Sequence, residues 1–115
     1  MEKTDKSGDG SIEPADALGE LSFDNLPPAM RMACENAGWN NLTPVQAKAI
    51  PYILAGRDMM IQSRTGSGKT GAYILPIMQK IDFQQKAAQA LVLVPTRELA
   101  LQVSREAQML VHGSD

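Results

Sequence analysis

One stretch of the sequence, Arg57 to Ile81 (RDMMIQSRTGSGKTGAYILPIMQKI), constrains the fold more than any other. An apolar run, Met59-Met60-Ile61, leads into Ser63-Arg64-Thr65-Gly66-Ser67-Gly68-Lys69-Thr70, and a second apolar run, Ala72 to Ile77, follows. Strand, glycine-rich loop and helix is the layout that a phosphate-binding loop requires. Gly66 and Gly68 carry no Cβ, so the backbone there can approach a ligand closely. The peptide N–H groups from Gly66 to Thr70 would form a nest of donors at the positive end of the following helix. Lys69 adds a mobile cation for the outer phosphates, and Thr70 adds a hydroxyl for the magnesium ion that accompanies them. Ser63 stands where the strict pattern G-x-x-x-x-G-K-[ST] has its first glycine. The competing reading is an ordinary glycine-rich turn between a strand and a helix.

The chain of 115 residues is long enough for one small domain with its own core. Only 4% of it is aromatic, so that core is expected to be aliphatic, built from Ala, Leu, Ile and Met. The single cysteine, Cys34, has no partner for an internal disulfide, and no apolar leader follows Met1. Both point to a reducing compartment, the cytoplasm. No apolar stretch approaches the roughly 20 residues needed to span a bilayer. The net charge of −2 leaves no basic footprint of the kind nucleic-acid binders carry. That sum hides an asymmetry. Residues 1–20 hold six acids against two lysines, whereas residues 21–115 are mildly basic.

Residues 1–20 are polar and lack apolar periodicity, so they read as an acidic disordered tail. Asp5, Ser7, Asp9, Gly10, Ile12 and Asp16 fall at the spacing of a calcium-binding EF-hand loop. The flanking helices are missing, Pro14 sits inside the loop, and Asp16 stands where the longer Glu is needed; the flexible tail is the reading taken. Phe23 and Leu26 bring the first clustered apolar side chains, and Pro27-Pro28 suits a helix start. Met30, Ala33, Cys34 and Ala37 repeat at helical spacing up to Gly38, with Cys34 a small core residue rather than a nucleophile.

Thr43-Pro44-Val45-Gln46 has the form of a capping box, with Thr43 at the N-cap and Gln46 reaching back to its amide. The same carboxamide offers a donor and an acceptor side by side, the complement of adenine's N6 and N7. Pro51 is expected to interrupt this helix, Tyr52 to Leu54 to form a short further turn, and Gly56 to close it. Pro76 is expected to kink or shorten the helix that follows the glycine-rich loop. After a polar connection from Phe83 to Gln89, the run Ala90-Leu91-Val92-Leu93-Val94 reads as a buried parallel strand. Pro95-Thr96-Arg97 then opens a helix with Leu99, Val103, Ala107 and Leu110 on one face and Gly113 as a possible cap. Thr96 can be a simple N-cap, or Thr96 and Arg97 can together bind a nucleic-acid phosphate at the helix N terminus. His112, near the chain end, reads as solvated. The sequence contains no repeat, metal-ligand cluster or Ser/His/Asp arrangement.

Three segments in this order resemble the start of a DEAD-box RNA helicase. Gly38 to Gln46 is similar to that family's Q motif, with Phe23 similar to its upstream aromatic. Ser63 to Thr70 is similar to motif I, and Pro95 to Gln102 to motif Ia and its continuation. Leu42 and Trp39 depart from the commoner residues at their positions. The resemblance covers about residues 23–112 and implies roles. Phe23 would stack on adenine and Gln46 read its edge. Arg64, Thr65, Gly66, Ser67, Gly68, Lys69 and Thr70 would hold ATP, with Thr70 toward Mg2+ and Lys69 the catalytic cation. Pro95, Thr96 and Arg97 would touch the RNA backbone.

The implied fold class is α/β: residues 21–115 would be the N-terminal portion of a RecA-like P-loop domain, a parallel sheet covered by helices, truncated after motif Ia. No Asp-Glu-Ala-Asp or Ser-Ala-Thr stands in these 115 residues. The chain is therefore expected to be inactive by itself, to need the remainder of the helicase core, and to associate with itself through unpaired strands. Two alternatives stay open: a piece of another P-loop ATPase or kinase, which leaves Gln46 and Arg97 without roles, and a non-enzymatic piece that binds a partner.

Overall fold

Helices carry the architecture. The computed structural model describes residues 5–6, 12–13, 17–64 and 66–111. Within them lie a two-stranded ribbon, β1 (Asp5–Lys6) and β2 (Ile12–Glu13), and a single 3-10 turn at Phe23–Asn25. Four helices follow: α1 (Pro28–Asn36), α2 (Pro44–Leu54), α3 (Lys69–Lys80) and α4 (Arg97–Val111). The ribbon is antiparallel, with Asp5 opposite Glu13 and Lys6 opposite Ile12. Residues 1–4, 7–11 and 14–16 of the expected tail, and with them Ser7, Asp9, Gly10 and Asp16 of the EF-hand spacing, lie outside the described residues, as do Thr65, His112 and Gly113.

The helix boundaries follow from local chemistry. α1 opens on Pro28, where the missing N–H removes no internal bond. It closes at Gly38, whose φ of +75° is a left-handed conformation suited to glycine. α2 opens on the capping box: the Gln46 amide donates to Thr43 Oγ1 at 3.4 Å, and the Thr43 amide donates to Gln46 Oε1 at 3.0 Å. α4 opens on Thr96, whose hydroxyl accepts from the Leu99 amide at 3.1 Å.

α3 is the central helix and packs against α1, α2 and α4. Its Gly71, Ala72, Ile74, Leu75, Pro76 and Met78 are buried, so it is covered on most of its circumference. The core joins these side chains to Leu26, to Met30, Ala33 and Cys34 of α1, to Ile50 of α2, and to Val103 and Leu110 of α4. It is aliphatic, as the composition implies. Asn36 at the end of α1 donates its Nδ2 to the Leu110 carbonyl at 3.1 Å, which satisfies one terminal acceptor of α4.

Both prolines, Pro51 and Pro76, lie inside helices that continue past them. Pro51 does not interrupt α2, which continues through it to Leu54. Pro76 does not shorten α3, which runs on to Lys80. A proline inside a helix removes one N–H and leaves the carbonyl four residues earlier without its donor. For Pro51 that carbonyl belongs to Ala47, and the Leu21 amide fills it at 2.9 Å. Pro76 is buried in the core, where packing holds the helix together.

The expected parallel sheet is not present among the described residues. Neither Met59 to Gln62 nor Ala90 to Val94 forms a strand, and Met60, Leu91 and Leu93 are 98%, 83% and 84% exposed. A strand exists only by hydrogen bonding to neighbours, and among the described residues neither segment pairs with another. Both are irregular, with Ile61 and Val94 half-buried and their neighbours exposed.

Candidate nucleotide-binding site

The glycine-rich loop leads directly into the N terminus of the central helix. Gly66 and Gly68 have φ of +82° and +93°, both in the left-handed region that favours glycine. Gly68 is the N-cap of α3, and Lys69 and Thr70 are its first two residues. Backbone N–H groups at a helix start have no internal acceptor and point outward, at the positive end of the helix dipole. Lys69 is exposed, and its ammonium turns back to donate to the Ser63 carbonyl. The Ser63 and Ser67 hydroxyls are hydrogen-bonded to each other across the loop, and the Ser67 amide donates to the Arg64 carbonyl at 3.3 Å. The serine in the first glycine's place thus acts as a clasp for the loop's ring. Arg64 is exposed and Thr70 half-buried.

Gln46 joins this loop to α2. Its side chain is 2% exposed. Its oxygen accepts from the Thr43 amide, and its Nε2 donates to the Gly68 carbonyl at 3.1 Å. A carboxamide has two N–H donors and two acceptor lone pairs, so one of each is committed to the chain itself. The contact is close because Gly68 is a glycine. A Cβ there would stand 2.8 Å from both Gln46 Nε2 and Thr43 Oγ1. The sequence signals the capping box but not this second bond, which depends on tertiary packing.

Gly71 is a site residue that sequence reasoning missed. It is buried in the first turn of α3, and a Cβ on it would lie 2.5 Å from Gln46 Nε2 and 3.0 Å from Cη2 and Cζ3 of Trp39. Its signal was a glycine inside a helical run, where alanine is the better helix former.

The remaining candidates lie on other elements. Phe23 is half-buried against the core, with the Arg31 guanidinium 5.2 Å from its ring centroid. Pro95, Thr96 and Arg97 are exposed at the N terminus of α4. Thr96 serves as the N-cap, and Arg97 is the first helical residue. Cys34 is fully buried, and burial, with Glu35 adding, raises its thiol pKa above the ordinary value, as an inert core cysteine requires. Among the described residues no group of His, Cys, Asp and Glu is placed to hold a metal ion, and no helix is long and apolar enough to cross a membrane.

The model of the DEAD/DEAH box helicase family matches residues 43–114, from the capping threonine through the loop to the end of α4. The chain belongs to that family. It is 44% identical over 91 residues to the DEAD-box ATP-dependent RNA helicase CshC of Bacillus cereus, which covers 79% of this chain and 23% of that protein. It is 52% identical over 85 residues to the ATP-dependent RNA helicase DbpA of Escherichia coli, covering 74% of this chain and 19% of that one. Among solved structures it resembles Mss116p bound to ssRNA and AMP-PNP, with a TM-score of 0.67, 33% identity, and coverage of 80% of this chain and 20% of the other. The chain thus spans about a fifth of the length of the DEAD-box relatives it matches.

Proposed function

We propose that this chain is the ATP-binding first part of a DEAD-box ATP-dependent RNA helicase, a cytoplasmic enzyme that couples ATP binding and hydrolysis to the remodelling of RNA. The observation that carries the reading is the paired left-handed glycines, Gly66 and Gly68, at the start of a helix opened by Lys69 and Thr70. The residues fit the group. Placing a Cβ on Gly66 meets nothing within 4 Å, so the loop offers open space there for a ligand. The loop residues Arg64 to Thr70 would hold the phosphates, with Thr70 supplying a hard oxygen ligand to the Mg2+ that accompanies them. Bound ATP would supply the phosphoryl group for transfer.

On this reading Lys69 leaves the Ser63 carbonyl for the outer phosphates, where it offsets developing negative charge. Gln46 reads the adenine edge with its remaining N–H and lone pair, beside Phe23. Pro95, Thr96 and Arg97 hold an RNA phosphate at the N terminus of α4, where unsatisfied amides and an exposed guanidinium favour an anion. The parallel sheet of a RecA-like domain would form when Met59 to Gln62 and Leu91 to Val94 pair with strands from the rest of the helicase core. Hydrolysis also needs carboxylates to orient water, and the DEAD-box relatives named above are several times longer than this chain.

Titration of the chain with ATP, ADP and GTP in the presence of Mg2+ tests the reading. Lys69→Ala is expected to weaken all three by removing a cation from the phosphates, and Gln46→Ala to weaken the adenine nucleotides more than GTP. Binding that ignores Lys69→Ala would refute the phosphate-loop assignment; equal losses for ATP and GTP in Gln46→Ala would leave Gln46 no part in reading adenine.

A further inference from the structure

We infer that Gly71 and Trp39 form a fitted seat that holds the Gln46 carboxamide against the phosphate loop, and that Gly71 is therefore a positioning residue for nucleotide binding. The inference deepens the proposed function and rests on the phosphate-loop reading. Three elements meet at one point. Gln46 comes from the first turn of α2, Trp39 from the segment between α1 and α2, and Gly71 from the first turn of α3. The point is the place of the missing Gly71 side chain, with Gln46 Nε2 at 2.5 Å and the edge of the Trp39 six-membered ring at 3.0 Å.

The amide at 2.5 Å leaves no room for a methyl group, and the indole edge at 3.0 Å would have to give way by a few tenths of an ångström. The amide is the far end of a flexible side chain and would give way first. The indole is wide and rigid, and it packs against the core, so it closes the direction in which the pair could otherwise share space. An alanine at 71 would therefore act on Gln46, moving Nε2 off the Gly68 carbonyl it now reaches at 3.1 Å. Gly68 carries the left-handed turn at the head of α3 and is one of the residues proposed to hold phosphate. Its carbonyl also accepts from the Ala72 amide at 3.2 Å, so the Gln46 bond fixes the peptide where loop becomes helix. The backbone at 71 is ordinary helix with no left-handed requirement, so conformation alone gives no reason for glycine there. The fit to Gln46 and Trp39 does.

The test is a double-mutant cycle on the binding of fluorescently labelled ADP. The wild-type chain, Gly71→Ala, Gln46→Ala and the double variant are titrated, and circular dichroism checks helix content. Gly71→Ala is expected to weaken ADP by roughly tenfold, the order for one hydrogen bond to a site-forming peptide. The double variant is expected to bind no more weakly than Gln46→Ala, because Gly71 acts through Gln46. Trp39 is the only tryptophan in the chain, so its emission is expected to shift in Gly71→Ala before any nucleotide is added. Wild-type affinity in Gly71→Ala, or losses that multiply in the double variant, overturns the inference.

Should Gly71→Ala lose its helices, Trp39→Ala reads the same seat from the other side. It is expected to weaken ADP in the wild-type background and to add nothing to Gln46→Ala; unchanged affinity in the wild-type background overturns the inference. The control is Lys69→Ala. Undiminished ADP binding there defeats the phosphate-loop reading itself and the inference with it, and so separates that failure from a failure of the seat alone.

Discussion

The amide of Leu21 donates to the carbonyl of Ala47 at 2.9 Å, and Pro51 is the reason that carbonyl is open. In an uninterrupted helix the residue four positions later would supply the donor, but proline has none. Beside this bond the Leu18 amide donates to the Tyr52 hydroxyl at 2.9 Å. The segment that carries Phe23 is thus strapped along α2, the helix that carries Gln46. A feature that weakens a helix locally fixes the approach of a candidate ligand-binding residue.

Pro51→Ala restores the missing donor. We expect α2 to gain stability, up to the ~3 kcal/mol that separates proline from alanine in a helix interior. We also expect the Leu21 amide to exchange faster, because the Ala47 carbonyl regains its helical partner. Amide hydrogen exchange measures both. Unchanged protection at Leu21 would mean that the carbonyl accepts both donors at once.

Gln46→Glu separates the two bonds of the buried carboxamide. A carboxylate still accepts from the Thr43 amide, but it places an oxygen against the Gly68 carbonyl where Nε2 now donates. The loss is expected to be about 1–3 kcal/mol, the range for an unsatisfied buried polar group, in thermal or denaturant unfolding. The deficit should shrink at acid pH, where a protonated carboxyl can donate. A variant as stable as wild type at neutral pH would show that the Gly68 bond contributes nothing.

Cys34 gives a pH dependence with a definite sign. Burial first, and Glu35 second, raise its pKa above the ordinary value of 9.0. A raised folded-state pKa means that the neutral thiol contributes stability in full below the ordinary value, and that this is lost as pH rises through the folded value. Unfolding followed across alkaline pH should show that loss in the wild-type chain and its absence in Cys34→Ala. At pH 8 a thiol reagent should label native Cys34 far more slowly than the unfolded chain; equal rates would contradict the burial.

The sequence was most legible where the chemistry is local. The capping box at Thr43 and Gln46, the N-cap at Thr96 and the left-handed Gly38, Gly56, Gly66 and Gly68 depend on residues a few positions apart. The face of α4 was legible too, since Val103 and Leu110 are buried as its spacing implies. The illegible features are contacts made across the fold. Pro51 and Pro76 read as breakers because the Leu21 donor and the surrounding core cannot be seen from their neighbours. Gly71 went unremarked because its neighbours Trp39 and Gln46 are distant in sequence. The runs at Met59 and Ala90 have strand composition but form no strand, because composition does not supply a pairing partner.

Thr96 and Arg97 are adjacent, yet they should respond differently. Thr96→Ala removes the acceptor of the Leu99 amide and should cost ~1 kcal/mol of stability, with Thr96→Ser largely restoring it. Arg97→Ala should leave stability unchanged, because the side chain is exposed. On the proposed function, Arg97→Ala in a longer helicase carrying this chain should instead weaken RNA binding uniformly across sequences and make its salt dependence shallower by roughly one phosphate contact. A changed base preference would mean that Arg97 reads bases rather than backbone.

The segment at Leu91 to Val94 predicts how the isolated 115-residue chain behaves. Leu91 and Leu93 are almost fully exposed, whereas Val94 is half-buried against the core. That alternation is the two-residue period of an extended strand with one side seated and one side open. Its backbone groups have no ladder, and Met60 adds a further exposed apolar side chain elsewhere. Unpaired extended backbone with an apolar outer face is a template for another chain. The chain alone is therefore expected to self-associate as its concentration rises, and Leu91→Lys with Leu93→Lys to return it toward monomer. It should also turn over no ATP beyond the level of Lys69→Ala, since these 115 residues contain no Asp-Glu-Ala-Asp to orient the attacking water. Light scattering on a size-exclusion column and a steady-state ATPase assay decide both points. A wild-type chain that stays monomeric at high concentration would show that the exposed leucines are harmless, and turnover abolished by Lys69→Ala would show that the chain contains a complete catalytic site.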